Sequence, residues 1–168
     1  MPTVNLRSFR QIVRHNKKSI RNFLARLEKR APRGLDQLKI EADKEAWKKT
    51  DCLDCANCCK TMSPTYTQED IKRISAHLGM TQNAFREKWL YKDRTGDWMN
   101  VKQPCQFLDL TTNMCNIYAV RPRDCAGFPH HHKKMTDYMH MYKQNIEFCP
   151  ATYRMVEVIR EKAANKEI

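Results

Sequence analysis

Cys52, Cys55, Cys58 and Cys59 fall within eight consecutive residues, Cys-Leu-Asp-Cys-Ala-Asn-Cys-Cys. No other segment restricts the fold so strongly. A disulfide demands a set α-carbon separation and torsion, so four thiols this close cannot all pair with one another without strain. A CxxC turn instead brings two sulfurs onto one centre, as zinc and iron–sulfur sites require. Cys105, Cys115, Cys125 and Cys149 follow downstream. The chain opens on polar residues, with no apolar stretch like that of an export signal and no run long enough to span a membrane. A cytoplasmic location is therefore expected. Thiols stay reduced there, and eight of them point to metal ligation in preference to a disulfide-stapled secreted domain.

The spacing leaves the metal open. Cys52-x2-Cys55-x2-Cys58 has the step of the first three ligands in bacterial ferredoxins, whose later cysteine precedes a proline, and Cys149-Pro150 offers one. That favours a [4Fe–4S] cluster but leaves Cys59, Cys105, Cys115 and Cys125 over. Eight thiols equally suit two Zn2+ ions with four cysteines each, or a shared two-metal centre. The later cysteines come singly, unlike the CxxC pairs of a zinc ribbon. The plain alternative for the distal four is that they are small buried hydrophobes. In His130-His131-His132, consecutive side chains diverge, so one imidazole at most joins a centre; the alternative is a polar turn. His15, His77 and His140 stand alone.

At 168 residues and 41% hydrophobic content, one domain with an extension and a modest core is expected. Only 4 glycines are present, and neither GxGxxG nor GxxxxGK[ST] occurs, which argues against a nucleotide cofactor of the common kinds. The formal net charge of +12 is concentrated near the N-terminus, where residues 1–33 hold ten Lys and Arg against Glu28 alone. Leu6, Phe9, Val13, Ile20, Phe23, Leu24 and Leu27 recur at helical steps and predict a helix over 4–30, stopped by Ala31-Pro32-Arg33-Gly34. Arg10, Arg14, Lys17, Lys18 and Arg21 occupy the opposite face. Such a face suits an anionic partner: RNA, a ribosome or other ribonucleoprotein assembly, or the acidic surface of a larger protein, with a membrane surface a weaker fit. The plain reading is a solvated face on a helix docked to its own domain.

A second helix is expected over 35–49. Thr67 with Asp70 forms a capping-box pattern ahead of Ile71, Ile74 and Leu78, and Gly79 ends that helix. Thr81 opens another, using Phe85, Trp89 and Leu90, followed by a polar loop over 91–103. Gln106–Leu110 and Met114–Tyr118 read as a short hairpin around Thr111-Thr112-Asn113. Arg121-Pro122-Arg123-Asp124-Cys125 reads as a turn or short helix, and Pro150 starts a last helix over 150–164. The expected fold is mainly α, a small helical domain with an irregular cysteine-rich metal-binding centre and one short β-hairpin. A basic helical extension, 1–49, precedes a cysteine-cluster domain, 50–168.

Cys52-x2-Cys55-x2-Cys58-Cys59, then Pro104-Cys105-x-Phe107-Leu108, then Cys115-x-Ile117-Tyr118-x2-Arg121-Pro122-x2-Cys125-x2-Phe128-Pro129 resembles the YkgJ family of cysteine-cluster proteins over about residues 50–150. That family is described as zinc- or iron-chelating, and the resemblance implies that all eight cysteines are candidate ligands. The cluster is also similar to one in flagellin lysine methylases, which implies an accessory role in protein methylation as a further alternative. Arg121 and nearby backbone N–H groups are placed to offset thiolate charge. Phe107, Ile117, Tyr118 and Phe128 are candidates for an apolar cover, or for ordinary core. An enzyme is the weakest reading, because no GxSxG, HExxH or paired-carboxylate motif occurs. A metal-stabilised binding module comes first, and an iron–sulfur electron-transfer protein is its alternative.

Overall fold

Asn5 opens the first helix by accepting a hydrogen bond from the Ser8 N–H at 3.0 Å, so one of the orphan donors of the first turn has a partner. In the computed structural model, which describes residues 4–164, this helix α1 spans Leu6–Lys29. It is followed by α2 (Leu35–Trp47), α3 (Cys52–Cys55), α4 (Asn57–Thr61), α5 (Gln68–His77), α6 (Gln82–Trp89), β1 (Leu90–Lys92) and β2 (Trp98–Asn100). A 3-10 turn at Tyr118–Val120 leads to α7 (Arg123–Gly127), α8 (Met139–Asn145) and α9 (Pro150–Ala164). The fold is mainly α with a two-stranded antiparallel hairpin. Among the described residues, no helix is long and apolar enough to cross a membrane.

The chain forms two compact units. The first comprises Met1–Cys55 with Pro129–Ile168, the second Ala56–Phe128. In the first unit, the apolar stripe of α1 buries Phe9, Val13, Ile20, Phe23, Leu24 and Leu27. These meet Leu35, Leu38, Ala42 and Ala46 of α2, Met139 and Tyr142 of α8, and Tyr153, Met155, Val156 and Ile159 of α9. Burying each such large side chain contributes about 2 kcal/mol, which is what holds a helix whose other face is cationic. Phe9 meets the Tyr153 ring edge to face, centroids 5.9 Å apart. Helix α8 had no sequence signal. Its segment is short and polar, and it is held by the burial of Met139 and Tyr142.

The second unit is built around Tyr66, Ile71, Ile74, Phe85, Leu90, Phe107 and Ile117. Thr67 and Asp70 form the expected reciprocal cap of α5. Leu78 departs from its expected buried role: it is the C-cap residue, past the last full turn, and is 37% exposed. The hairpin is also displaced from its expected position. It pairs Leu90, read as helical, with Asn100, and Tyr91 with Met99 and Lys92 with Trp98 inside the stretch read as a polar loop. Asp93 turns this hairpin, its Oδ1 accepting from the N–H groups of Thr95 at 2.9 Å and Asp97 at 3.0 Å, while Gly96 takes φ +90°. Between 104 and 118 the strands expected there shrink to one isolated bridge, Leu108 with Cys115. Tight turns at Cys105 and Cys115 reverse the backbone too soon for a ladder to continue.

Candidate metal centre

Cys105 and Cys115 begin two turns of the same construction. The N–H of Leu108 donates to the Cys105 carbonyl at 3.0 Å, and the N–H of Tyr118 to the Cys115 carbonyl at 3.1 Å. In each turn the N–H two residues after the cysteine, from Phe107 or Ile117, donates toward the cysteine sulfur. The side chains of Phe107 and Ile117 are buried, so the residue that supplies the donor is anchored in the core. Two bonds join the turns: Asn116 N–H to the Phe107 carbonyl at 2.8 Å, and Asp109 N–H to the Met114 carbonyl at 2.9 Å. The sequence gives half of this away in its repeated Cys-x-apolar pattern.

Cys59 joins them through the main chain, its carbonyl accepting from the Cys105 N–H at 2.8 Å. Its neighbour Cys58 lies with its sulfur 4.0 Å from that of Cys59, on α4, which starts after the left-handed residue Ala56 (φ +45°). Cys125 is carried by α7, and the Asp124 carboxylate of that helix accepts from the Thr65 N–H at 3.1 Å.

Burial pushes the thiols of Cys105, Cys115 and Cys125 above their usual range, and the negative charge of Cys59 pushes all three further in that direction. Cys125 is raised also by Cys105, Asp124 and Cys115. Sulfurs that feel one another's charge this way favour protonation by themselves, and a cation among them reverses the preference. Arg121 acts on Cys115 by its positive charge alone. Its guanidinium lies 3.9 Å over the ring of Tyr118, a residue that is 44% exposed.

The donor set fits a thiolate-bound metal on one further observation. The side-chain nitrogen of Asn100 is buried and has no nitrogen, oxygen or sulfur partner at hydrogen-bond distance. It lies beside Cys105, beyond hydrogen-bond distance of the sulfur, where it favours the thiolate over the thiol. No disulfide joins any of the eight cysteines. Among the described residues, no three or more His, Cys, Asp or Glu side chains stand at metal-binding distance of one another. Within the second unit, Cys59, Cys105, Cys115 and Cys125 are nonetheless near enough to feel one another's charge.

The first unit carries Cys52, Cys55 and Cys149. Cys149 is the N-cap of α9: its carbonyl accepts from the Tyr153 N–H at 3.0 Å, and the N–H groups of Ala151 and Thr152 donate to its sulfur. Burial pushes this thiol up to about 11, against the Thr152 hydroxyl and these N–H donors, and the charge of Cys52 adds to the rise. Cys55 is buried and Cys52 exposed, in a turn that Asp51 holds by accepting from Leu53 N–H at 2.9 Å and Cys55 N–H at 3.0 Å.

His131 has both ring nitrogens engaged, Nδ1 with Asp43 at 2.5 Å and Nε2 with the Thr152 hydroxyl at 2.8 Å. It is thus a support behind Cys149, and ligating a metal requires it to give up one of these bonds. Asp43, Thr152 and Asn100 were not singled out from the sequence. Polar residues at such positions carry no local signal, since their partners lie far along the chain.

Of the cationic residues on α1, Arg10, Arg14, Lys18 and Arg21 are exposed, and Lys17 is half-buried. Lys17 and Arg21 pair with Glu147 at 2.7 and 3.4 Å, so part of the face is neutralised within its own unit.

Residues 51–150 match the model of the CxxCxxCC family, described as "Putative zinc- or iron-chelating domain". Among curated proteins, the chain is similar to the uncharacterized protein MJ0661 of Methanocaldococcus jannaschii, 31% identical over 81 residues. That alignment covers 47% of this chain and 43% of the archaeal protein, so the chain spans less than half of that relative. No solved structure matches it.

Proposed function

The chain belongs to the CxxCxxCC family, and from that membership we propose that it is a metal-binding module whose cysteine thiolates hold zinc or an iron–sulfur cluster. The reading is carried by the paired turns of the second unit, which present Cys105 and Cys115 alike, each with an N–H donor on its sulfur. Cys59 and Cys125 lie within reach of their charge and complete a set of four, with Cys58 beside them. Cys52, Cys55 and Cys149 are the candidate ligands of the first unit. A bound zinc supplies cross-linking of loops, and a bound cluster supplies one-electron redox capacity.

The small apolar core of the second unit supports a structural role for the metal. A cluster of seven buried hydrophobic residues serves as the core of a unit of 73 residues (56 to 128), and ligation adds folding free energy to such a unit. The exposed cations Arg10, Arg14 and Lys18 of α1 support attachment to an anionic partner, with RNA as the occupant to test. The N–H donors on the sulfurs favour a second reading, electron transfer, because such bonds set the potential of an iron–sulfur cluster.

The test is elemental analysis of the full chain purified with and without oxygen, together with its visible spectrum. Bound zinc in a colourless protein supports the structural module. Iron with sulfur-to-iron charge-transfer absorption supports the electron-transfer reading. A folded, anaerobically prepared sample holding neither metal and unable to take one up overturns both.

A further inference from the structure

We propose that Asn100 is a positioning residue of this centre, donating its side-chain N–H to the sulfur of Cys105 when that sulfur is a metal-bound thiolate. The inference rests on the metal-binding reading given above. Asn100 ends β2 and is 3% exposed. Its backbone N–H donates to the Ser63 hydroxyl at 2.8 Å, which holds the residue in place.

The orientation of its amide follows from its neighbours. Gln106 Nε2 donates to the Trp89 carbonyl at 3.2 Å, which identifies that atom as nitrogen, and it donates also to Asn100 at 2.9 Å. The atom it meets on Asn100 is therefore the oxygen, which also accepts from the Tyr66 hydroxyl at 2.6 Å. Nδ2 is left on the far side of the amide, buried and with no partner at hydrogen-bond distance. A buried N–H without an acceptor costs about 1–3 kcal/mol. A neutral thiol is a poor acceptor and a thiolate a strong one, so ligation at Cys105 removes that cost.

Cys105 then differs from its counterpart in the second turn. Cys105 receives the Phe107 N–H and the Asn100 amide, whereas Cys115 receives the Ile117 N–H and the more diffuse charge of Arg121. Donors draw electron density from a sulfur, which raises the energy of its charge-transfer band and the potential of a cluster, and they stabilise the thiolate that a metal needs against protonation. Asn100 therefore makes Cys105 the less electron-rich of the two ligands.

The full chain, loaded anaerobically with Co2+, tests this through the sulfur-to-cobalt charge-transfer band. Asn100→Asp keeps the oxygen that Tyr66 and Gln106 use and replaces the N–H donor with an acceptor. The expected result is a band moved to lower energy and Co2+ affinity lowered about tenfold or more. A folded Asn100→Asp protein with the wild-type band and affinity overturns the inference. A wild type that shows no thiolate–cobalt absorption overturns the metal reading, and the inference with it. Should the variant fail to fold, wild-type protein loaded with NMR-active cadmium decides the matter. Coupling between the metal and the Asn100 side-chain amide protons supports the hydrogen bond, and its absence overturns it.

Discussion

The N–H of Cys105 donates to the carbonyl of Cys59 at 2.8 Å. The last cysteine of the dense block and the first of the later cysteines are thus joined at the main chain, whatever their sulfurs bind. This bond makes the nearness of these two candidate ligands a property of the backbone of the second unit. Replacing Cys105 or Cys125 with Ala should therefore lower metal content without scattering the remaining thiols. Metal analysis should show the loss. Thermal melting of either variant should fall by several degrees and become insensitive to chelator, because ligation free energy is also folding free energy.

Asp70 supplies a pH dependence. Its carboxylate is buried, which pushes it up, but the Thr67 N–H, Arg73, the Thr67 hydroxyl and the Arg123 N–H together hold it below the usual range. Arg73 lies 2.6 Å away and the Arg123 N–H 3.1 Å. A carboxyl whose folded value lies below its unfolded value of about 3.9 stabilises fully above that value, and the stabilisation is lost as pH falls through the folded one. Urea denaturation of wild type and Asp70→Asn should thus differ by a constant amount from about pH 5 upward. Below about pH 4 the two should converge.

Behind Cys149, His131 links the Asp43 carboxylate to the Thr152 hydroxyl, and Thr152 is wholly buried. His131→Ala leaves both partners without their bond and should cost about 2–3 kcal/mol. Thr152→Val, of equal shape, should cost less in stability while moving the reactivity of Cys149 to higher pH, since a donor that favours its thiolate is gone. Denaturant titration reads the first effect, and the pH dependence of Cys149 alkylation in metal-free protein reads the second.

Charge reversal at Arg10, Arg14 and Lys18 should weaken binding to a single-stranded RNA while leaving metal content unchanged. Each phosphate contact contributes about 0.7 to the slope of log affinity against log salt, so losing three should make the slope shallower by about two. Adding the same changes at Lys17 and Arg21 should have a smaller effect per residue, because both already pair with Glu147. Unchanged affinity in the triple variant would reduce this face to ordinary solvated surface.

Local patterns carried much of the fold. The apolar stripe of α1, the caps at Thr67 and Thr81, and the start of α9 at Pro150 were legible because each is decided by residues a few positions apart. The hairpin was misplaced for a physical reason. The alternation at 106–118 serves two sulfur-bearing turns, while the true strands owe their pairing to an Asp93 turn with Gly96. The candidate ligands were visible as residue types, but not the company they keep. Asn100 reads as the end of a polar loop until Tyr66, Gln106 and Cys105 are seen around it. Asp43, His131 and Thr152 likewise come from three separate segments, which no periodicity connects.

One sulfur sits at the first step of the helix that supplies Tyr153, Met155, Val156 and Ile159 to the interior. Whatever happens to that atom is transmitted along the rod it starts. Alkylating or oxidising Cys149 would fray the opening turn and loosen the handshake between Tyr153 and Asn16. The state of the Cys149 sulfur and the integrity of the greasy centre of the first unit thereby share a single hinge pin.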